Sequence, residues 1–464
     1  MRLLIAVVAL WIGYCSREAE IRAETLEGAL AAAYASSPQL LAKRAHSRAV
    51  HEGVPQALAH WRPSLTLTLQ GSHGSYGDSR TSASAHVRTA RLSSVGITQA
   101  LYRGGRTIAA TTEAEARIQA EWAQLLEVEQ TVLRNAAQAY LDVVQDEAVL
   151  DLNLNSEHVL QQQLTATRDR FRVGELTQTD VAQAEARLAR TTAVRLAAEG
   201  TLQSSRATYE QVVGTQPGQL VFPHSPPNLP QSLSAAIEAA VAVNPAVNAA
   251  AYTAQAAQHG IDQIRGELRP TVSLEGRLSR SWNQVSHASR PEAAEIILTV
   301  KVPFYQQGAV YARLREAQHT ASQRQLESDQ VRRVAIESVT QAWEGLQSAR
   351  AQIESFQTQI AAAKVVLNGV KREAQVGSRT VLDVLNAEQE LLDSRVALVR
   401  ALRDKLQAEY FLLTTSGRMT ARNLSLEVEF YDPSGHYHTV RTQWLGTSSD
   451  AERDAHLANA TAQP

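Results

Sequence analysis

At 464 residues the chain has room for about two to four ordinary domains, and a 44% hydrophobic fraction permits a buried core. Aromatic residues make up only 5%, while Ala, Gln, Glu, Arg and Leu are abundant, a mix that argues against a conventional compact globule and fits long helices. A net charge of −2, with no run of like charge, gives no reason to expect a nucleic-acid partner.

Residues 1–23 read as a signal peptide: Arg2, an apolar stretch from Leu3 to Tyr14, then polar residues up to Ala23, after which cleavage is expected. Cys15 follows the bulky Tyr14, where a lipidated cysteine wants a small neighbour, so it is expected to leave with the leader. The exported chain then has no thiol or disulfide chemistry. No run of 18 or more apolar residues follows, so no transmembrane helix is expected.

The remainder is two halves repeated at a nearly constant offset. Pro38 answers Pro245, and Arg62 with Pro63 answers Arg269 with Pro270 (269 − 62 = 207). Tyr102 and Gly105 answer Tyr305 and Gly308 (305 − 102 = 203), and the shorter offset holds for Val173, Gly174 and Asp180 against Val376, Gly377 and Asp383. Such a repeat is too long for a solenoid unit of about 20 to 50 residues. It predicts two pseudo-symmetric halves, 24–222 and 233–417, joined by a linker at 223–232 and followed by a C-terminal extension, 418–464, whose polar end is expected to be disordered.

Each half carries two segments of period two, expected as strands at about 63–71 and 92–101, then 270–279 and 295–303. Leu65, Leu67 and Leu69 alternate with Thr66 and Thr68, and Ile296, Leu298 and Val300 alternate with Thr299 and Lys301. Long polar loops are expected between them, at 71–91 and 279–295. Soluble hairpins packed on helices would fit this alternation. The export signal and strand lengths of about 9 to 11 residues favour membrane strands instead. Lipid offers no partner for an open sheet edge, so such strands must belong to a closed barrel. Two copies would pool about 8 strands, a barrel filled by its own side chains, whereas three would pool about 12 and leave a channel.

Between the strands run stretches free of helix breakers, from Arg106 to Val173, Ala309 to Glu344 and Ser378 to Ser416. Trp122, Leu125, Leu126, Val132, Leu133, Ala136, Tyr140 and Val143 recur three and four apart, so these helices must pack along one another. An irregularity is expected near Asn153, Asn155 and Ser156. A firmer turn falls at Val173 and Gly174, with Thr177 or Thr179 placed to cap the next helix, and it recurs at Val376 and Gly377.

With these motifs in order, the chain resembles the TolC family of outer-membrane channel-tunnels from Thr25 to about Leu413. The resemblance is carried by ArgProSerLeuThrLeu (62–67), ArgProThrValSerLeu (269–274), ValProPheTyrGlnGlnGly (302–308), ArgPheArgValGlyGluLeuThrGlnThrAspVal (170–181) and ValGlySerArgThrValLeuAspValLeuAsnAla (376–387). It implies an α+β membrane protein, a homotrimer with a 12-stranded β-barrel in outer-membrane lipid and a periplasmic α-helical barrel. Its partners would be a periplasmic adaptor and an inner-membrane ABC or proton-driven transporter, with no cofactor. The tail at 429–446 resembles that of members serving type I protein secretion, so a type I exit duct is expected, with a multidrug efflux role as the alternative. A periplasmic coiled-coil scaffold is the alternative from another class, but leaves the strands unexplained. No catalytic triad, metal spacing or phosphate loop stands out, and His436 with His438 is too small a set for a metal site.

The resemblance further implies a periplasmic gate at Thr179, Asp180, Arg379, Asp383 and Asn386, with adaptor-docking tips at Val173, Gly174, Val376 and Gly377. Arg379 to Asp180 is the expected latch, and Asp383 the expected threefold carboxylate ring, in which like charges raise one another's pKa. Asn386 stands where a second Asp ring is expected, and Ala374 replaces a gate Tyr.

Overall fold

The computed structural model describes residues 24–78, 83–284 and 286–447, so the expected signal peptide, Cys15 and the end beyond Thr447 lie outside it. The elements run α1 (Leu26–Ser36), α2 (Pro38–His51), α3 (Gly53–Leu58), β1 (Ser64–Asp78), β2 (Ala83–Tyr102), α4 (Arg106–Arg172), α5 (Gln178–Val213), α6 (Leu233–Val243), α7 (Pro245–Arg265), β3 (Thr271–Trp282), β4 (Glu292–Lys301), α8 (Ala309–Gln375), α9 (Val381–Thr415) and α10 (Pro433–Arg441). The duplication is visible in them. Short 3-10 turns at Ala59–Trp61 and Gly266–Leu268 precede β1 and β3 at the 207 offset (266 − 59 = 207). Helices α4 and α8 each have 67 residues and start 203 apart (309 − 106 = 203).

Two expectations are corrected. The segment 71–91 is not a long loop: β1 continues to Asp78 and β2 starts at Ala83, in register from Ser64 opposite Thr98 to Tyr76 opposite His86. Ladder pairing is made by the backbone, so Ser, Thr and His residues extend a strand once a partner lies alongside. Nor is there a break near Asn153. Helix α4 runs unbroken through this position, and the buried Asn153 amide finds its partner one turn back, donating to the Val149 carbonyl at 2.9 Å.

The chain divides into two compact units. One, whose described residues fall within Arg44–Gln124, Ala246–Val331 and 432–447, holds the sheet, of order β1-β2-β3-β4, antiparallel throughout. Register aligns apolar residues on one face across all four strands. Leu65, Ile97, Gly276 and Ile296 form one row, and Leu67, Val95, Leu278 and Ala294 the next. The opposite face carries Thr66, Thr98, Arg277 and Glu275, with the last two ion-paired at 2.5 Å. The large apolar side chains of the first face are exposed, Ile296 to 83%. They are therefore not buried beneath the helices of the chain. At the sheet's foot Gly104, at φ 68°, passes so close to Gly266 that a Cβ on it would lie 2.2 Å from the Gly266 carbonyl oxygen.

The same unit holds α10 through a small core of Val54, Ile118 and Tyr437. His51 is fully buried there. Its Nε2 accepts a hydrogen bond from the Trp122 indole N–H at 2.8 Å, and its Nδ1 lies 3.0 Å from Nδ1 of His436, which is thus a packing residue. Among the described residues, no three His, Cys, Asp or Glu side chains gather as metal ligands.

The other unit, whose described residues are 24–43, Leu125–Pro245 and Arg332–Tyr431, is largely helical. Its main core joins Leu26, Leu30, Leu133, Tyr140, Tyr209, Leu406 and Leu413. The Tyr209 hydroxyl donates to the Glu24 carboxylate at 2.5 Å, and the Tyr140 hydroxyl accepts from Val221 N–H at 3.0 Å, so the start of the described chain is tied to the end of the first half. The run Leu233–Leu268 is apolar enough by composition to cross a membrane, which the sequence reading did not anticipate. It is two helices, however, with Asn244 between them in an extended conformation, and Ala236 and Ala240 of α6 are buried against Val339, Leu346 and Leu412.

Candidate functional site

The helical hairpins α4/α5 and α8/α9 end in two tips built alike. Gly174, at φ 84°, closes α4: its N–H donates to the Phe171 carbonyl at 3.0 Å, and Glu175 N–H donates to the Arg170 carbonyl at 3.0 Å. This pair of bonds satisfies the last carbonyls of the helix through a left-handed residue, which glycine adopts without a Cβ penalty. Gly377, at φ 81°, repeats it, with Ser378 N–H reaching the Glu373 carbonyl at 3.0 Å. Val173 and Val376, just before each glycine, are exposed.

The next helix of each hairpin opens with a capping box. The Thr177 hydroxyl accepts from Asp180 N–H at 3.3 Å while the Asp180 carboxylate accepts from Thr177 N–H at 2.9 Å, and Thr380 with Asp383 repeats this at 3.2 and 3.0 Å. Each pair satisfies N–H groups that a helix start otherwise leaves without partners. Thr177 is the cap, and Thr179 sits exposed in the first turn without that role. The bonds from Thr177, hydroxyl first, hold the Asp180 carboxyl below its ordinary pKa, and the Thr380 N–H, then its hydroxyl, does the same for Asp383.

Within the chain, Arg379 does not meet Asp180. Its Nε pairs with Glu373 at 2.9 Å, across the turn of its own hairpin, and this hydrogen bond raises the guanidinium pKa. Asn386 accepts from Arg187 at 2.7 Å, which joins α9 to α5. Beneath this bond Leu160, Leu164, Ala184, Val381 and Leu385 form a core shared by both hairpins. The structure thus brings Asp383 and Arg379 into one tip, while Asp180 belongs to the other.

Sequence reasoning missed Glu373 and Arg187, and it also missed a matched pair of hairpin clasps. Arg168 with Glu185 at 2.6 Å ties α4 to α5, and Lys371 with Glu388 at 2.5 Å ties α8 to α9. The 203 offset relates both members of these pairs (371 − 168 = 203), so pairing charges by offset could have found them. Each such exposed pair contributes only about 0.2–1 kcal/mol, so their role is to align the tips rather than to hold the fold.

Comparison with known proteins decides the family. The chain matches the outer membrane efflux protein family over residues 29–215 and 236–418, one segment in each half. It belongs to that family. Outer membrane efflux protein BepC of Brucella suis biovar 1 (strain 1330) is 35% identical over 446 residues, 96% of each chain. Proteases secretion protein PrtF of Dickeya chrysanthemi is 28% identical over 275 residues, 57% of this chain and 59% of its own. Outer membrane protein TolC of Salmonella enteritidis is 25% identical over 417 residues, covering 85% and 82%. Among solved structures, the transmembrane channel protein CusC superposes with a TM-score of 0.77 at 19% identity, over 84% of this chain and 92% of that one. This efflux-family chain is therefore an outer-membrane protein with the fold of a channel, as the TolC-like motifs imply.

Proposed function

We propose that three copies of the chain close a 12-stranded barrel in the outer membrane, continued by a helical duct on the periplasmic side, and passively conduct substrate delivered by an inner-membrane transporter. One observation carries this reading: a four-stranded sheet of alternating direction with β1 and β4 as its edges and one face apolar and exposed. Open edges in lipid leave N–H and C=O groups without partners, at several kcal/mol each. With an even number of alternating strands, β4 of one copy runs antiparallel to β1 of the next in a ring, so head-to-tail rotation closes the sheet. The test uses the cysteine-free mature chain with cysteines placed at Thr68 in β1 and Thr299 in β4. Bifunctional crosslinking should give a ladder ending at the trimer, with single-channel conductance in planar bilayers. A soluble, non-conducting monomer would reject the proposal in favour of a periplasmic scaffold.

The paired tips, with exposed valines ahead of the glycine turns, are the surface on which a periplasmic adaptor would dock, and Arg379, Asp180, Thr179, Asp383 and Asn386 lie close enough to them to form a gate in the trimer. For cargo, the match to BepC over nearly the full chain favours efflux. The partial match to PrtF, together with the tail at 429–446, favours type I protein secretion as the second reading. A deletion strain separates them: sensitivity to small toxic compounds with secretion intact supports efflux, and loss of a secreted protein with resistance intact supports secretion.

A further inference from the structure

The channel reading leaves the end of the described chain unused. Helix α10 is anchored by buried Tyr437 and Val440 and by an Arg441–Glu115 ion pair at 3.0 Å. The chain then turns, with Gln443 N–H bonded to the Val440 carbonyl at 3.1 Å, and arrives at the foot of β1. There the Arg62 Nη1 donates to the Gln443 carbonyl at 2.8 Å, and its guanidinium stacks 4.8 Å from the centre of the Trp444 ring. Arg62 and Pro63 directly precede the first residue of β1, so this contact fixes the height of Trp444 along the sheet. Both apolar residues it delivers face outward, Trp444 65% and Leu445 91% exposed.

Other exposed aromatics lie at the same end of the sheet. Tyr102 ends β2, and Phe304 and Tyr305 follow β4, Phe304 being 91% exposed and continuing the alternation of Ile296, Leu298 and Val300. Lys301, the last residue of β4, is also exposed. This is the height at which an apolar sheet face gives way to helices rich in Glu, Gln and Arg, which cannot enter hydrocarbon. In a bilayer it is the headgroup layer, where Trp and Tyr partition with their rings among the glycerol groups. Arg62 spends one N–H on Gln443 and, by its fork of five donors, has others for a phosphate oxygen.

We infer that Trp444 and Leu445, held by Arg62, form an anchor for phospholipid headgroups in the periplasmic leaflet of the outer membrane and, with Phe304 and Tyr305, set the depth of the barrel. This rests on the barrel reading above, and the test separates the two. The full-length protein is reconstituted in phosphatidylethanolamine–phosphatidylglycerol vesicles containing lipid brominated either near the headgroup or near the chain ends. Emission of Trp444 is obtained by difference from Trp444→Phe, and a Leu298→Trp reporter in that background marks the barrel wall. Near-headgroup bromine should remove most of the Trp444 component and chain-end bromine little of it, while the Leu298→Trp reporter responds to chain-end bromine. A Trp444 component indifferent to both lipids, with the reporter quenched, overturns the anchor and points to a neighbouring subunit as its cover. If the reporter is unquenched too, the barrel reading falls and the anchor falls with it.

Discussion

Acid should loosen the C-terminal helix α10 through His51. The Trp122 indole is only a donor, so His51 Nε2 must be its acceptor, and the one proton of the neutral ring then sits on Nδ1, donating to His436 Nδ1 3.0 Å away. A second proton on His51 would set two N–H groups against each other at Trp122. Burial, then repulsion between a protonated His51 and the nearby His436 and Arg48, lower the His51 pKa from 6.5 to about 4. The neutral ring is therefore the form the closed state prefers. The closed state loses stability as pH falls below 6.5, where the opened ring gains a proton that the closed one refuses, and the loss levels off near pH 4. At about pH 5.5 the opened state gains about tenfold, or ~1.4 kcal/mol, and by about pH 4 the total approaches ~3 kcal/mol.

Hydrogen exchange of the α10 amides, corrected for the intrinsic pH dependence of exchange, reads this opening directly. Protection should be flat from about pH 8 to pH 7 and fall about tenfold by pH 5.5. His51→Gln keeps an acceptor for Trp122 and a donor for His436 but does not titrate, so its profile should stay flat. Equal acid loosening in His51→Gln, or no change in the unsubstituted protein down to about pH 4.5, would refute the assignment.

Four further outcomes are expected. Leu298→Arg, on the apolar face of β4, should cost about 2–4 kcal/mol if that face meets mid-bilayer lipid and should deplete heat-resistant oligomers in outer-membrane fractions, whereas Thr299→Arg on the other face should be tolerated. Gly104→Ala forces both a left-handed alanine and a clash with the Gly266 backbone, so thermal stability of the assembled protein should fall by more than Gly105→Ala lowers it, as followed by circular dichroism. Thr177→Val removes a helix cap worth about 1 kcal/mol and should raise hydrogen exchange in the first turn of α5 without altering the sheet. Arg379→Ala should raise single-channel conductance if the guanidinium latches the gate; unchanged current would remove it from that role.

Much of the fold was legible because it rests on local periodicity. Leu65, Leu67 and Leu69 alternate with polar residues as a two-faced strand does, and the 207 and 203 offsets carry the pattern from one half to the other. The far ends of β1 and β2 were not legible, since Ser72, His73 and Thr89 have no apolar alternation and are recruited by ladder partners across the hairpin. At the tips, Gly174 and Gly377 declared themselves by the need for positive φ. The partner of Arg379 did not: local reach across the turn gave it to Glu373, and nothing in the spacing marks that choice. His51 and His436 stand 385 positions apart, and no periodicity links them.

Asp383 recurs at the offset of Asp180, and each is the third residue of a capping box, with Thr380 and Thr177, so a repeated helix start inherits its cap whether or not it also gates a channel. The two roles are compatible in physical terms. Capping does not neutralise a carboxylate. By donating two hydrogen bonds to its ionised form, each Thr lowers the pKa, and so opposes the rise that like charges brought together in a threefold ring would impose. A ring of capped aspartates thus keeps its charge to lower pH than a ring of uncapped ones, and Thr380→Val should move any carboxylate-dependent block of current by cations toward higher pH, while Thr177→Val should do so only if Asp180 also lines the constriction.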